Sequence, residues 1–260
     1  MKKTISTILF VAMALTCWSQ QNRWNVYAGW SLAVGDYAKS DLANNMWALS
    51  TGGNYGGAGQ GGNVGFSCLI PTSDSSRMSF AVSADLILNG MNSEIRLNNI
   101  TTLANLRQNF TTAKLKQPLY LHIPLLVGLH FEHPISTNFS FYLTAQAGLG
   151  VNIITNRSAE LLNGAQPIDV GGTLMYDYTY TDHFSTTTSL AWRVAVGLVE
   201  KSHWIADLGL WGMGAMQIRG YEDFDYRPAT ETGYATRGSM QFSSDRINPL
   251  MFIARIGYRL

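Results

Sequence analysis

Between Tyr120 and Phe131 the chain reads YLHIPLLVGLHF, and its two alternating sets of residues differ in kind. Leu121, Ile123, Leu125, Val127, Leu129 and Phe131 are all large and apolar. Tyr120, His122, Pro124, Leu126, Gly128 and His130 are mixed, partly polar and partly small. A period of two belongs to a β-strand, whose side chains leave by its two faces in turn. One face here is uniformly greasy. The question is whether it points into a core or out into lipid.

The same alternation recurs in segments 24–34, 63–70, 78–88, 139–152, 189–198, 204–211 and 250–260, which with 119–131 makes eight strands. Most approach the ~9–11 residues that span a bilayer when tilted. The connections alternate in length: 71–77, 132–138 and 200–203 are short, while 35–59, 89–116, 153–185 and 219–247 are long. Short turns on one side and long loops on the other are the pattern of outer-membrane barrels. With an even strand number, both termini fall on the short-turn, periplasmic side. The stretch STGGNYGGAGQGGN at 50–63 is glycine-rich and reads as a mobile part of the first long loop.

Composition decides the orientation of the greasy face. Charged residues are 13% of the chain, against roughly 25% in soluble domains. The face opposite the greasy one carries Gly, Ala, Ser, Asn, Thr and Tyr, not the Lys and Glu of a water-facing sheet. Small and mildly polar residues suit the crowded lumen of a narrow barrel, and a large apolar face suits lipid. Trp24, Phe131, Phe139, Trp204 and Tyr258 all fall at the turn ends of their strands, as an interfacial girdle would. The expected fold is an all-β, eight-stranded antiparallel up-and-down transmembrane β-barrel in a bacterial outer membrane.

The N-terminus fits export. Lys2 and Lys3 precede an apolar run at 8–15, and Ser19 supplies a small residue at a cleavage point. Residues 1–19 read as a signal peptide, leaving 20–260 as the barrel domain. Cys17 raises a lipoprotein alternative, but Ala14-Leu15-Thr16 is a poor approach to a lipidated cysteine. The mature chain then keeps only Cys68, so no intrachain disulfide is expected. A formal net charge of +1 gives no reason to expect nucleic acid.

The closing FIARIGYRL places Phe252, Ile256, Tyr258 and Leu260 at alternate positions. It resembles the C-terminal signal of bacterial outer-membrane proteins that the barrel-assembly machinery reads, with Leu260 where phenylalanine is usual. With YLHIPLLVGLHF, FYLTAQAGLGVN and RIGYRL together, the chain resembles the PorT-like outer-membrane β-barrel families of Bacteroidetes. That resemblance implies an eight-stranded barrel, with roles in protein secretion or gliding for some members. It carries over no catalytic residue and no cofactor.

Several constellations could carry chemistry. Asp85, Arg193, Asp207 and Arg255 lie on the inward set, near the turn ends of their strands, and could form a luminal polar cluster. Such a cluster plugs a narrow barrel or, alternatively, lines an ion path or narrow channel. Tyr176, Tyr178, Tyr180, Tyr221, Tyr226 and Tyr234 enrich two long loops, where tyrosine suits a binding surface or, equally, loops that extend the strands above the membrane and pack on one another. Glu222, Asp223 and Asp225 could hold calcium, but lack the spacing of a calcium loop, and the five histidines show no metal-ligand spacing. Ser185 beside His183 is the one nucleophile–base pair a lipid-modifying enzyme could use. The expected role is non-enzymatic, through loops that meet secretion or surface proteins, with membrane lipid and lipopolysaccharide around the wall.

Overall fold

The computed structural model describes residues 22–39, 57–73, 76–91, 112–116, 118–162, 168–170, 173–201, 203–228 and 236–260. The proposed leader at 1–19 lies outside them, as do residues 40–56, which hold most of the first long loop. Eight strands close a barrel: β1 (Arg23–Val34), β2 (Ala58–Pro71), β3 (Met78–Met91), β5 (Leu119–Pro134), β6 (Phe139–Ile154), β10 (Thr187–Glu200), β11 (Trp204–Met213) and β14 (Leu250–Arg259). Each pairs antiparallel with the next in chain order, and β14 returns to β1 through Asn25↔Arg259 to Val34↔Leu250. These are the eight segments that the alternation marks. Closure leaves no barrel edge unpaired, a condition that lipid imposes on any sheet spanning it.

The faces divide as the parity predicts. Val127 is 56% exposed and Leu125 48%, while His122, Leu126 and His130 are buried. Phe131, Phe139, Trp204 and Tyr258 stay exposed at the turn ends, and Trp204 meets Tyr258 edge-on at 5.6 Å. Pro124 sits within β5 where the β3–β5 register lapses, between Ala84↔Leu125 and Ile87↔His122. Proline cannot donate to a ladder, so the wall tolerates it at that gap.

The long connections differ from expectation. Segments 89–116, 153–185 and 219–247, read as loops, hold β4 (Thr112–Lys116), β7 (Arg157–Leu162), β8 (Ile168–Val170), β9 (Thr173–Phe184), β12 (Met216–Pro228) and β13 (Thr236–Ile247). They form a second sheet in the order β13-β12-β9-β7-β4, with β8 paired to β9. The corresponding barrel strands run β14-β11-β10-β6-β5 in the same order, and two residues separate each pair. Five barrel strands therefore continue, after a short break, into a wing above the rim. Sequence reading missed it because the wing has polar residues on both faces. MYDYTYTDHF alternates, but without a greasy set to mark a strand.

The glycine-rich stretch also corrects expectation in part, because β2 already begins at Ala58. A side chain at Gly61 would run into the carbonyl of Leu88 on β3, so glycine there permits strand approach rather than mobility. At the end of β11, Gly214 and Ala215 break the alternation. Trp211 and Met213 are luminal before them, and Met216 and Ile218 are luminal after them. A single shift of parity explains the confused pattern of WGMGAMQI.

Candidate functional site

The structure brings Asp85, Arg193, Asp207 and Arg255 together from β3, β10, β11 and β14, all at most 3% exposed. Arg255 is the centre. Its Nη1 donates to Asp85 Oδ1 at 2.9 Å, and its Nε and Nη2 grip Asp207 at 2.8 and 2.5 Å. Tyr142 Oη donates to the same Asp207 carboxylate at 2.9 Å. Arg193 sits farther out, 3.8 Å from each carboxylate, with its guanidinium 4.8 Å from the Trp211 ring centre. Arg255 lies 4.0 Å from the centre of Tyr27 and 4.7 Å from that of Trp211. Two cations and two anions sum to zero, so the low-dielectric interior holds ions but no net charge. Chemically the cluster can seal and brace. Tyr27, Trp211, Tyr142 and the two arginines occupy the cross-section of a barrel whose lumen side chains just fill.

A second buried polar group lies at the wing end. After β1, a 3-10 turn at Gly35–Tyr37 folds the Tyr37 ring into the lumen, where it is fully buried. Gly35 adopts φ +62°, a conformation glycine reaches without strain. Tyr37 Oη lies 2.8 Å from His122 Nε2, and His122 Nδ1 lies 2.7 Å from Asn152 Oδ1. Because Asn152 Oδ1 can only accept, Nδ1 carries the proton and Tyr37 donates to Nε2. Burial pushes the Tyr37 hydroxyl well above its usual pKa, with Tyr120 adding to the shift, so it stays a donor. No signal in the sequence set Tyr37 apart from other loop tyrosines.

At the turn end, Glu132 gathers Arg259 at 3.0 Å and Arg23 at 3.3 Å, with His130 3.6 Å away. Leu260 N donates to Trp24 O at 2.8 Å, tying the last residue to the first barrel strand.

The wing has two faces. Met216 and Ile218 on β12 are luminal, so Glu222 and Phe224 share their parity, while Tyr221, Asp223 and Asp225 point outward. Inside, Arg157 and Asp182 form a buried ion pair, and Arg157 lies 5.7 Å from the Tyr180 ring centre. Outside, His183 stacks on Tyr221 at 4.6 Å. A groove of about 520 Å³ is lined by Thr179, Thr181, Asp223, Asp225, Arg237 and Ser239, with Tyr180, Phe224 and Gly238 between them. The six candidate tyrosines are therefore not one patch. Tyr180 and Tyr221 belong to opposite faces, and the backbones of Tyr178 and Tyr226 pair. Tyr234 and the side chains of Tyr176, Tyr178 and Tyr226 lie outside the described residues.

The calcium grouping does not form one site, because Glu222 faces away from Asp223 and Asp225. Among the described residues no three His, Cys, Asp or Glu side chains are placed to hold a metal ion. Asn156 and Asp223, not Ser185, stand at the two ring nitrogens of His183, at 3.1 and 3.4 Å. That arrangement leaves His183 without a nitrogen aimed at the Ser185 hydroxyl. Among the described residues no helix is long and apolar enough to cross a membrane, which says nothing of crossing by strands.

No family model and no curated protein matches the chain. Among solved structures, it is similar to a major outer membrane protein from Thermus thermophilus, with 9% identity and a TM-score of 0.47, covering 93% of this chain and 100% of that one. OprG from Pseudomonas aeruginosa gives 10% identity and 0.42, covering 92% and 96%. Ail, the attachment invasion locus protein of Yersinia pestis, gives 10% and 0.33, covering 93% and 100%. These are loose likenesses, and the barrel is established by the strand registers above rather than by them.

Proposed function

We propose that the chain is a non-enzymatic, integral β-barrel protein of a bacterial outer membrane. In this reading the signal at 1–19 exports it, the short turns and both termini are periplasmic, and the wing is extracellular. One observation carries it: the wall turns its large apolar side chains outward while two arginines and two aspartates lie buried and paired in its interior. A soluble sandwich would reverse that order, since buried charge is costly and exposed apolar area is what lipid covers. Buried, ion-paired side chains in the lumen argue against a passive channel, and the partners of His183 argue against a lipid-modifying serine.

What remains free to act is the wing. We assign it the interaction role, as a surface component or an accessory to secretion, with lipopolysaccharide around its base. The PorT-like, Bacteroidetes kinship is the finer form of this reading, supported by YLHIPLLVGLHF and RIGYRL. Recognition by the barrel-assembly machinery is part of the same reading, supported by the alternating Phe252, Ile256 and Tyr258 of β14.

The test combines three measurements on the full chain. The detergent-solubilised protein should migrate differently on a gel before and after boiling. Protease added to intact cells should cut within the wing and spare the short turns. In planar bilayers the protein should be electrically silent. A periplasmic soluble protein without a gel shift would overturn the membrane reading, and steady conductance would restore the channel.

A further inference from the structure

The groove on the outer face of the wing has a composition that selects among ligand classes. Arg237 Nε donates to Asp225 at 2.7 Å, while among the described residues Asp223 faces no full cation, only the His183 imidazole, whose Nε2 lies 3.4 Å away. One such carboxylate is not a strong field that would capture an ion. What is offered instead is a dense set of hydrogen-bonding groups, with the Asp223 side chain 52% exposed and the hydroxyls of Thr179, Thr181 and Ser239 beside it. At its barrel end, two residues along β12 from Asp223, stands Tyr221, 44% exposed. His183 stacks on that ring with only 16° between planes, which fixes the ring's direction before any ligand arrives.

The floor of the groove is backbone already paired: β9, β12 and β13 are joined there from Thr179↔Asp225 through Asp223↔Ser239, and the outer edge of β13, unpaired among the described residues, lies at its rim. A ligand lying on this face is read by side chains. Carboxylate acceptors, hydroxyls and an oriented aromatic ring in one shallow groove match a sugar, which offers vicinal hydroxyls on its edge and a C–H face to a ring. We propose that this groove binds a neutral glycan, with Asp223 accepting from sugar hydroxyls and Tyr221 stacking on a pyranose face. The proposal rests on the extracellular placement of the wing, where surface polysaccharide is within reach.

The probe is a printed array of neutral and anionic oligosaccharides, followed by calorimetric titration of the neutral oligosaccharide that binds best. The full-length folded protein in detergent should bind neutral glycans. Asp223→Asn and Tyr221→Ser should each weaken that binding by about tenfold or more. Tyr221→Phe, which keeps the ring, should leave it within about twofold. Every variant is scored only with its heat-dependent gel shift intact, which separates loss of the site from loss of the fold. A silent array, binding to anionic glycans only, or neutral binding indifferent to these substitutions would each overturn the proposal. With gel shift and surface cleavage intact, such a failure would leave the membrane reading standing.

Discussion

Arg255 and Arg193 enter the lumen from β14 and β10, two strands that β11 keeps apart, and they share the same two carboxylates on unequal terms. Arg255 makes three charge-assisted hydrogen bonds. Arg193 reaches neither carboxylate within hydrogen-bonding distance, and its Nε and Nη1 make no hydrogen bond. The two should therefore differ in weight. Arg255→Met should cost about 3–5 kcal/mol, because it strips two buried carboxylates of their bonded cation. Arg193→Met should cost less than half of that, since methionine keeps contact with the Trp211 ring. Urea titration of the gel-shifted fraction measures both, and equal losses would mean that the long-range field, not bonding geometry, holds the cluster. This residue-scale inventory was legible in sequence, because Asp85, Arg193, Asp207 and Arg255, with Arg259, stand out on a nearly uncharged face. Their bonding hierarchy was not, since it depends on the stagger between strands that are distant in the chain.

At the scale of elements, the barrel strands announced themselves and the wing did not, for one physical reason. Lipid demands an uninterrupted apolar face, so β5, β6 and β10 carry a signal at every second residue. Water demands nothing of the wing beyond a paired backbone, and Thr, Tyr, Asp and Ser satisfy that on either face. The parity shift at Gly214–Ala215 marks where one demand gives way to the other. The two sheets should accordingly be separable. Replacing residues 221–241 by a short glycine-containing turn leaves Met216, Ile218 and Ile247 in place, and these buried side chains belong to the apolar cluster that also holds Tyr37 and Trp211. The shortened protein should keep its heat-dependent gel shift and membrane fractionation, while its surface binding is lost. Failure of the shortened chain to insert would show that the wing helps the barrel to close.

For the whole molecule, the outward apolar wall and the side chains that fill the interior make separate predictions. Val127 lies midway along β5, outward and 56% exposed. Val127→Arg should destabilise the inserted barrel by about 2–4 kcal/mol, and an arginine at Ile135, in the turn beyond the girdle, by about 0–1 kcal/mol. Folding titrations into lipid vesicles read the difference, and equal effects at the two depths would argue against a bilayer around the wall. The interior holds two buried polar layers, Tyr37 over His122 and the ionic cluster beyond it toward the turn end. Opening one should not open the other. In a background where the buried Cys68 is replaced by alanine, a cysteine at position 122 should resist a membrane-impermeant thiol reagent applied from the wing side. Adding Tyr37→Ala should make it react, because the buried ring is what covers it. A cysteine at position 207, among the ionic cluster, should stay unreactive in both backgrounds, and bilayer conductance should stay at baseline. If Tyr37→Ala exposed position 207 as well, the lumen would be a gated path whose door is the 3-10 turn. Persistent silence at 207 makes the two layers independent, with the wing-end turn a cover and the arginine–aspartate cluster the seal.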